Sequence, residues 1–242
     1  MEQSRVLFGA TEILYTIRRS LRRRTVSIVV DANLGVSVSA PAATPVGRLD
    51  AVVLKKARWI LKHLQEFAHL KDRLQPKKFV SGEAYLFLGR EYRLEVVSQD
   101  GRGGPVVVGD SIQVPVGSHV AGSQPAAAVR EMLELWYRLR AAETFLERVA
   151  SWAPRVEVPV PRVVIRGQKR RWGTCDCRGA IRFNWRVVQA PERLIDYVVV
   201  HELAHLREKN HSKTYWALVG RILPDYRDRR KELNRLGPHL DW

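Results

Sequence analysis

Two periods take turns along the chain. Residues 12–18 and 25–39 read as short strands. The run Thr25-Val26-Ser27-Ile28-Val29-Val30 is rich in β-branched side chains, and Asp31-Ala32-Asn33 marks a turn before Val36 and Val38. Residues 47–68 switch to helical spacing, with Leu49, Val53, Ala57, Ile60, Leu64 and Phe67 on one face. Alternation returns over 84–97: Tyr92, Leu94 and Val96 face one way and Arg93 and Glu95 the other, after a turn at Gly89-Arg90. A loop at Asp100–Pro105 precedes strands near 105–108 and 112–116. A glycine, serine and proline stretch at 117–125 is the candidate boundary. Beyond it, 125–150 predicts a long amphipathic helix with Ser123 as N-cap and Met132, Trp136, Leu139 and Leu146 on its apolar side. A strand at 161–166, a hairpin at 170–186 and helices at 191–207, 212–223 and 225–236 complete the reading. No internal repeat is visible. Strands dominate the first half and helices the second, so the expectation is an α+β protein: a small β-rich N-terminal part over 1–122 and a second domain over 123–242.

Composition narrows the class. With 242 residues, 45% hydrophobic and 27% charged, the chain can bury a core without disulfides or structural metals. This excludes a disordered chain, a collagen-like repeat and a disulfide-stapled miniprotein. No apolar run approaches the roughly 20 residues a membrane-spanning helix needs, so no membrane partner is expected. The N-terminus lacks the pattern of a signal peptide, and Cys175 and Cys177 give no disulfide framework; a cytoplasmic location is the expectation. The net charge of +16 is the unusual bulk property, with peaks at Arg18–Arg24 and Lys169–Arg171. A basic surface raises the case for nucleic acid as a partner; a generally arginine-rich proteome is the competing explanation. The acids nearest in sequence to the Arg18–Arg24 cluster are Glu12 and Asp31, and a solvated strand edge protected by positive charge is the reading favoured for it.

The chemistry concentrates at His201-Glu202-Leu203-Ala204-His205. Pro191 suits a first helical position and Glu192 the first turn. From Leu194 to Leu206 the segment is nearly all apolar, so the helix is buried, and histidines and a glutamate inside it need partners. A divalent cation supplies them. Residues i and i+4 share a helix face, so His201 and His205 can reach one ion. Glu202, about 100° round the axis, is free to act as general base on a metal-bound water. His211, six residues after His205, has the third-ligand spacing of the metzincins, although Glu208 stands where their glycine does. Asn210 can take the left-handed conformation such a turn needs, and Ser212 can cap the next helix. Glu208 and Glu232 are the rival third ligands. Both methionines lie upstream, so a metzincin Met-turn is absent. Cys175-Asp176-Cys177 has no second pair and reads as a hairpin tip closed by Arg178-Gly179, not a metal site.

Arg171-Trp172-Gly173-Thr174-Cys175, Ile181-Arg182-Phe183-Asn184-Trp185-Arg186, the Ile195–His205 helix, Asn210-His211-Ser212, Tyr215-Trp216 and Pro224-Asp225-Tyr226-Arg227 follow in order. Together they resemble the YgjP-like family of zinc metallopeptidases, which is related to SprT-like proteases and yeast-type DNA–protein-crosslink proteases. Thr174 replaces the more usual serine and keeps the hydroxyl. The resemblance implies a minimal zincin-like metallopeptidase domain with a buried zinc-binding helix, Zn2+ on His201, His205 and His211, Glu202 as base, and a peptide or protein substrate. Tyr215, Tyr226 and Arg186 are the candidates for the oxyanion partner. Along 180–186, Ile181, Phe183 and Trp185 alternate with Arg182, Asn184 and Arg186. An edge strand there could hold an extended peptide, with core packing under a solvated arginine face as the equal alternative. The other function class is a DNA-associated protein with a structural zinc, or a protease brought to DNA by its basic surface.

Overall fold

The computed structural model describes residues 2–31, 35–73, 76–98, 103–117, 125–168, 171–240 and 242. The expected cap at Ser123, the boundary segment 118–124, the Ala32-Asn33 turn and the first half of the 100–105 loop lie outside these residues. Two compact units divide at Gln75/Pro76.

The first unit begins with β1 (Glu2–Phe8), which the sequence reading missed, followed by β2 (Thr11–Ser20), β3 (Ser27–Asp31) and β4 (Gly35–Pro41). They form one sheet of order β1-β2-β4-β3, with β2 and β4 parallel and the outer pairs antiparallel. The helix expected over 47–68 is two helices, α1 (Val46–Lys55) and α2 (Ala57–Arg73). Lys56 interrupts the backbone without shifting the apolar phase: Leu49, Val53, Ala57 and Ile60 are all buried against Ile13, Tyr15, Val36 and Val38. The Tyr15 hydroxyl and the Ser4 hydroxyl both donate to Asp50, tying α1 to the sheet. Pairing of β1 with β2 also brings Glu2 to Arg19, so an acid far off in sequence neutralises part of the arginine cluster.

The second unit starts with β5 (Ala84–Phe87), β6 (Arg90–Ser98), β7 (Val106–Val108) and β8 (Ser111–Val116). Their order, β5-β6-β8-β7, and their pattern of antiparallel, parallel and antiparallel pairs repeat the first sheet. The repeat is one of topology and not of residues, so the amino-acid sequence does not display it. The reading also set a domain boundary at 122/123. The compact units divide at 75/76 instead, because Tyr85, Leu94, Ile112 and Val114 belong to the same core as the helices that follow.

Next comes α3 (Pro125–Val156), longer than expected. Its buried face is Val129, Leu133, Tyr137, Ala141, Phe145, Val149 and Ala153. Leu139 and Leu146, assigned to that face from sequence, are 53% and 55% exposed. A run of fours fixes the stripe, and small Ala141 and Ala153 hold places in it while the larger leucines fall outside. β9 (Val163–Arg166), β10 (Gly173–Cys175) and β11 (Ile181–Asn184) form a sheet of order β10-β11-β9. The 181–184 strand is therefore central, not an edge; the edge beside the next helix is β10. Asn184 is buried, not solvated: its amide donates to the carbonyls of Gln168 and Arg171 and its oxygen accepts from the Arg186 N–H. A 3-10 turn over Trp185–Gln189 then leads into α4 (Glu192–Ala204), α5 (Lys213–Ile222), α6 (Tyr226–Leu236) and a closing 3-10 turn. No helix among the described residues is long and apolar enough to cross a membrane.

Candidate metal centre

α4 is buried on every side, as its composition requires: Leu194, Ile195, Val199, Val200, Leu203 and Ala204 are fully enclosed. Pro191 is the residue before the first helical one, a single position earlier than expected. Arg148 of α3 bonds Asp196 and Glu192, and the Trp152 indole donates to Asp196, which fixes α4 against α3. The helix closes at His205. Bonds from His205, Leu206 and Arg207 N–H to the carbonyls three residues back tighten the end, and Ser212 N–H reaches the Asn210 carbonyl. The chain reverses by these short bonds; Asn210 is not among the residues with positive φ, so the left-handed turn expected there is not used. Ser212 caps α5 by accepting from Tyr215 N–H, as predicted.

This reversal brings His211 back onto α4. Ligand atoms of His201, His205 and His211 all lie within 4.8 Å of one another, a group that could hold a metal ion. The Nε2 atoms of His201 and His211 face each other at 3.1 Å. Two nitrogens on a tetrahedral zinc with bonds of about 2.0–2.1 Å stand about 3.3 Å apart, so the spacing fits. The His205 Nδ1 lies 3.1 Å from the Glu208 carbonyl, which leaves its Nε2 for the cluster. Burial, then His205, His211 and Arg230, pull His201 down to about 3; burial, His205 and Arg230 lower His211. Both rings are therefore neutral near neutral pH, the form that binds metal. Neither rival joins them: Glu232 is clasped by Arg193, and the Glu208 carboxylate faces the Thr214 hydroxyl.

Glu202 is 4% exposed and is pushed up to about 8 by burial, against the opposing pull of Arg171 and the Cys175 N–H. β10 lies directly on it. A Cβ at Gly173 would stand 2.6 Å from Glu202 Cγ, so glycine there permits the contact. The cysteines behave as hairpin residues: Asp176 accepts from Arg178 and Ala180 N–H, Gly179 has φ +81°, and burial next to Glu202 raises the Cys175 thiol.

Aromatic rings floor the site. Tyr215, fully buried, packs on all three histidines and donates to the His201 carbonyl at 2.8 Å. That spends its hydroxyl, so it is no oxyanion partner. The Tyr226 hydroxyl accepts from Arg227, and Arg186 lies over Trp185 away from the cleft. Trp216 stacks on His211 at 5.4 Å and on Tyr226 at 5.3 Å. The histidines and Glu202 open onto a cleft of about 740 Å³ with Arg171, Lys209 and Arg230 at its walls. Gly173, Asn184, Trp216 and Arg230 received no role from sequence. Gly173, Asn184 and Trp216 stood in the Arg171–Cys175, Ile181–Arg186 and Tyr215-Trp216 motifs, and Arg230 in none; only folding shows what each touches.

UTP pyrophosphatase of Escherichia coli K12 is 49% identical over 37 residues, which are 15% of this chain and 22% of that protein. The chain thus matches about a fifth of that relative. Among solved structures, the metallopeptidase zymogen of Pyrococcus abyssi, abylysin, aligns over 38% of this chain and 95% of its own, at 22% identity and TM-score 0.36. The zymogen of Methanocaldococcus jannaschii, jannalysin, aligns over 38% and 94%, at 17% identity and TM-score 0.35. A family model described as "YgjP-like, metallopeptidase domain" matches residues 24–236, which run through both compact units and every element of the centre, and the chain belongs to that family.

Proposed function

We propose that the protein is a zinc-dependent hydrolase of peptide bonds, with His201, His205 and His211 as ligands and Glu202 as general base. The convergence of three imidazoles beside an enclosed carboxylate supports this best. Three protein ligands are the pattern of catalytic zinc, whereas structural sites close with four, which favours the enzyme over a structural zinc in a DNA-associated protein. Bound zinc supplies Lewis-acid polarisation of a carbonyl and acidifies water. The chain's own part is to hold and move the proton. The Glu202 carboxylate, fixed between α4 and β10, accepts it from the attacking water and delivers it to the leaving amine nitrogen. The aromatic floor keeps the imidazoles aligned.

A second reading has its own support. Arg171, Lys209 and Arg230 make the cleft walls cationic, and the bacterial relative is named for cleaving a nucleotide phosphoanhydride. The same base and metal would serve hydrolysis of a nucleoside triphosphate. Nucleic-acid contact through Arg22, Arg23 and Arg24 is a separate proposal that neither reading needs.

Glu202→Gln tests the mechanism. It removes the base and keeps the shape, so it should retain about one zinc per chain and lose turnover by orders of magnitude. Casein, histone and UTP offered side by side to wild type decide the substrate class. Equal cleavage by wild type and Glu202→Gln would sink the mechanism for either substrate.

A further inference from the structure

α6 (Tyr226–Leu236) carries Arg227, Arg229, Arg230, Lys231 and Arg235. Its acids are already committed. Asp225, just before the helix, holds Arg229, Asp228 holds Lys231, and Glu232 holds Arg193 from α4. Arg227 bonds the Tyr226 hydroxyl. Arg230, like Arg227 and Arg235, has no carboxylate partner among the described residues, but of these three it alone lines the cleft. Its guanidinium lies 5.1 Å from the centre of the Trp216 ring, the same indole that stacks on His211. It also lines the cleft onto which His201, His211 and Glu202 open. A cation is thus held over an aromatic platform, beside the metal-binding imidazoles, with its charge uncompensated.

Keeping a guanidinium next to neutral imidazoles that will receive a dication is electrostatically unfavourable. Such an arrangement is useful where negative charge develops during reaction. Hydrolysis of an acyl or phosphoryl centre builds that charge on an oxygen, and a preorganised donor aimed at it is among the strongest single catalytic effects. The planar, always-charged guanidinium suits the task, and cation–π contact with Trp216 restricts it without neutralising it. Tyr215 has spent its hydroxyl proton on the His201 carbonyl, Tyr226 does not line the cleft, and Tyr197, which does, is only 5% exposed.

We propose that Arg230, seated on Trp216, is the catalytic residue that binds the anionic oxygen of the substrate at this centre. The proposal rests on the hydrolase reading but commits to anion recognition rather than to one scissile bond.

Inorganic phosphate is the probe, titrated by calorimetry into the zinc-loaded full chain, beside peptide-hydrolysis kinetics on the same samples. Arg230→Gln should keep its zinc and its melting temperature, bind phosphate at least about tenfold more weakly, and lose about 100-fold in kcat with KM little changed. Arg230→Lys should recover part of both. Arg227→Gln, which removes a charge from the same helix outside the cleft, should match wild type. Phosphate affinity unchanged in Arg230→Gln overturns the proposal. So does an equal loss in Arg227→Gln, which would mean general surface charge. So does wild type that binds no phosphate. Wild type that cleaves no peptide refutes the peptidase reading alone, and the phosphate measurement then decides Arg230 by itself.

Discussion

The sheets β1–β4 and β5–β8 share one strand order and one pattern of pairing, yet they do different work. The first closes its own core with α1 and α2. The second gives its apolar face to the core that also contains α3, β11 and α4. Their hairpin tips show the same contrast. At the β1–β2 turn a Cβ on Gly9 would meet nothing within 4 Å. At the β5–β6 turn both Leu88 and Gly89 have positive φ, 50° and 79°. Their N–H groups donate to the carbonyls of Val188 and Gln189, just ahead of α4. A Cβ on Gly89 would stand 2.7 Å from Pro191 Cα. One topology thus serves once as a layer closed by its own two helices and once as the support at the start of α4. What the buried face and the turn meet, not the strand order, decides the role.

Core truncations should expose this division most strongly. Ile13 in the first sheet and Ile112 in the second are both essentially unexposed. Ile→Ala at either site should cost about 2–5 kcal/mol in its own unit. Only Ile112→Ala should also lower zinc retention against a chelator, because the centre's core loses volume. If Ile13→Ala releases zinc as readily, the two units are not energetically separate.

The turn glycines give a smaller, more local version. Ala at Gly9 suffers backbone strain alone, about 1 kcal/mol. Ala at Gly89 has that strain plus a collision with Pro191, about 2–4 kcal/mol together. Hydrogen exchange of the α4 backbone should quicken in Gly89→Ala and stay unchanged in Gly9→Ala. Unaltered α4 protection in Gly89→Ala would show that the hairpin merely touches the helix.

Legibility followed locality. The three histidines sit within eleven positions: helix spacing sets His201 beside His205 and a short reversal returns His211, so the sequence grouped them and the structure does too. The strand pattern at 84–97 and the cap at Ser212 were equally local. Failures came where distant segments decide. Nothing near Arg19 announces Glu2, and nothing near Trp185 says that Asn184 must bridge two loop carbonyls. The turn was expected at Gly89-Arg90, but docking on Val188 and Gln189 makes Leu88-Gly89 the turn. Exposed Leu139 and Leu146 show the limit of periodicity in a 32-residue helix with apolar residues on more than one side.

The smallest expected effect separates two acids, one per unit. Glu83 accepts N–H bonds from Lys78, Phe79 and Val80 and a hydroxyl bond from Tyr85. Burial acts to raise its pKa, but these bonds outweigh it and the carboxyl ends below its ordinary value. Glu2 is also lowered, chiefly by its bond to Arg19, but it lies in solvent. In both, the folded value lies below the unfolded one. The stabilisation is therefore complete above the unfolded pKa and is lost as pH falls through the folded pKa. The partners differ in kind. Backbone N–H groups are not displaced by salt, whereas an exposed ion pair is screened within a few ångströms at 1 M salt. Glu83→Gln should weaken the second unit near neutrality by about 1 kcal/mol and flatten its acid limb, in low and high salt alike. Glu2→Gln should flatten the acid limb of the first unit in low salt only. Thermal melts followed from pH 6 to pH 3 at two salt concentrations read both, and a Glu83 effect that salt abolishes would show that surface charge, not the turn's backbone, holds that loop.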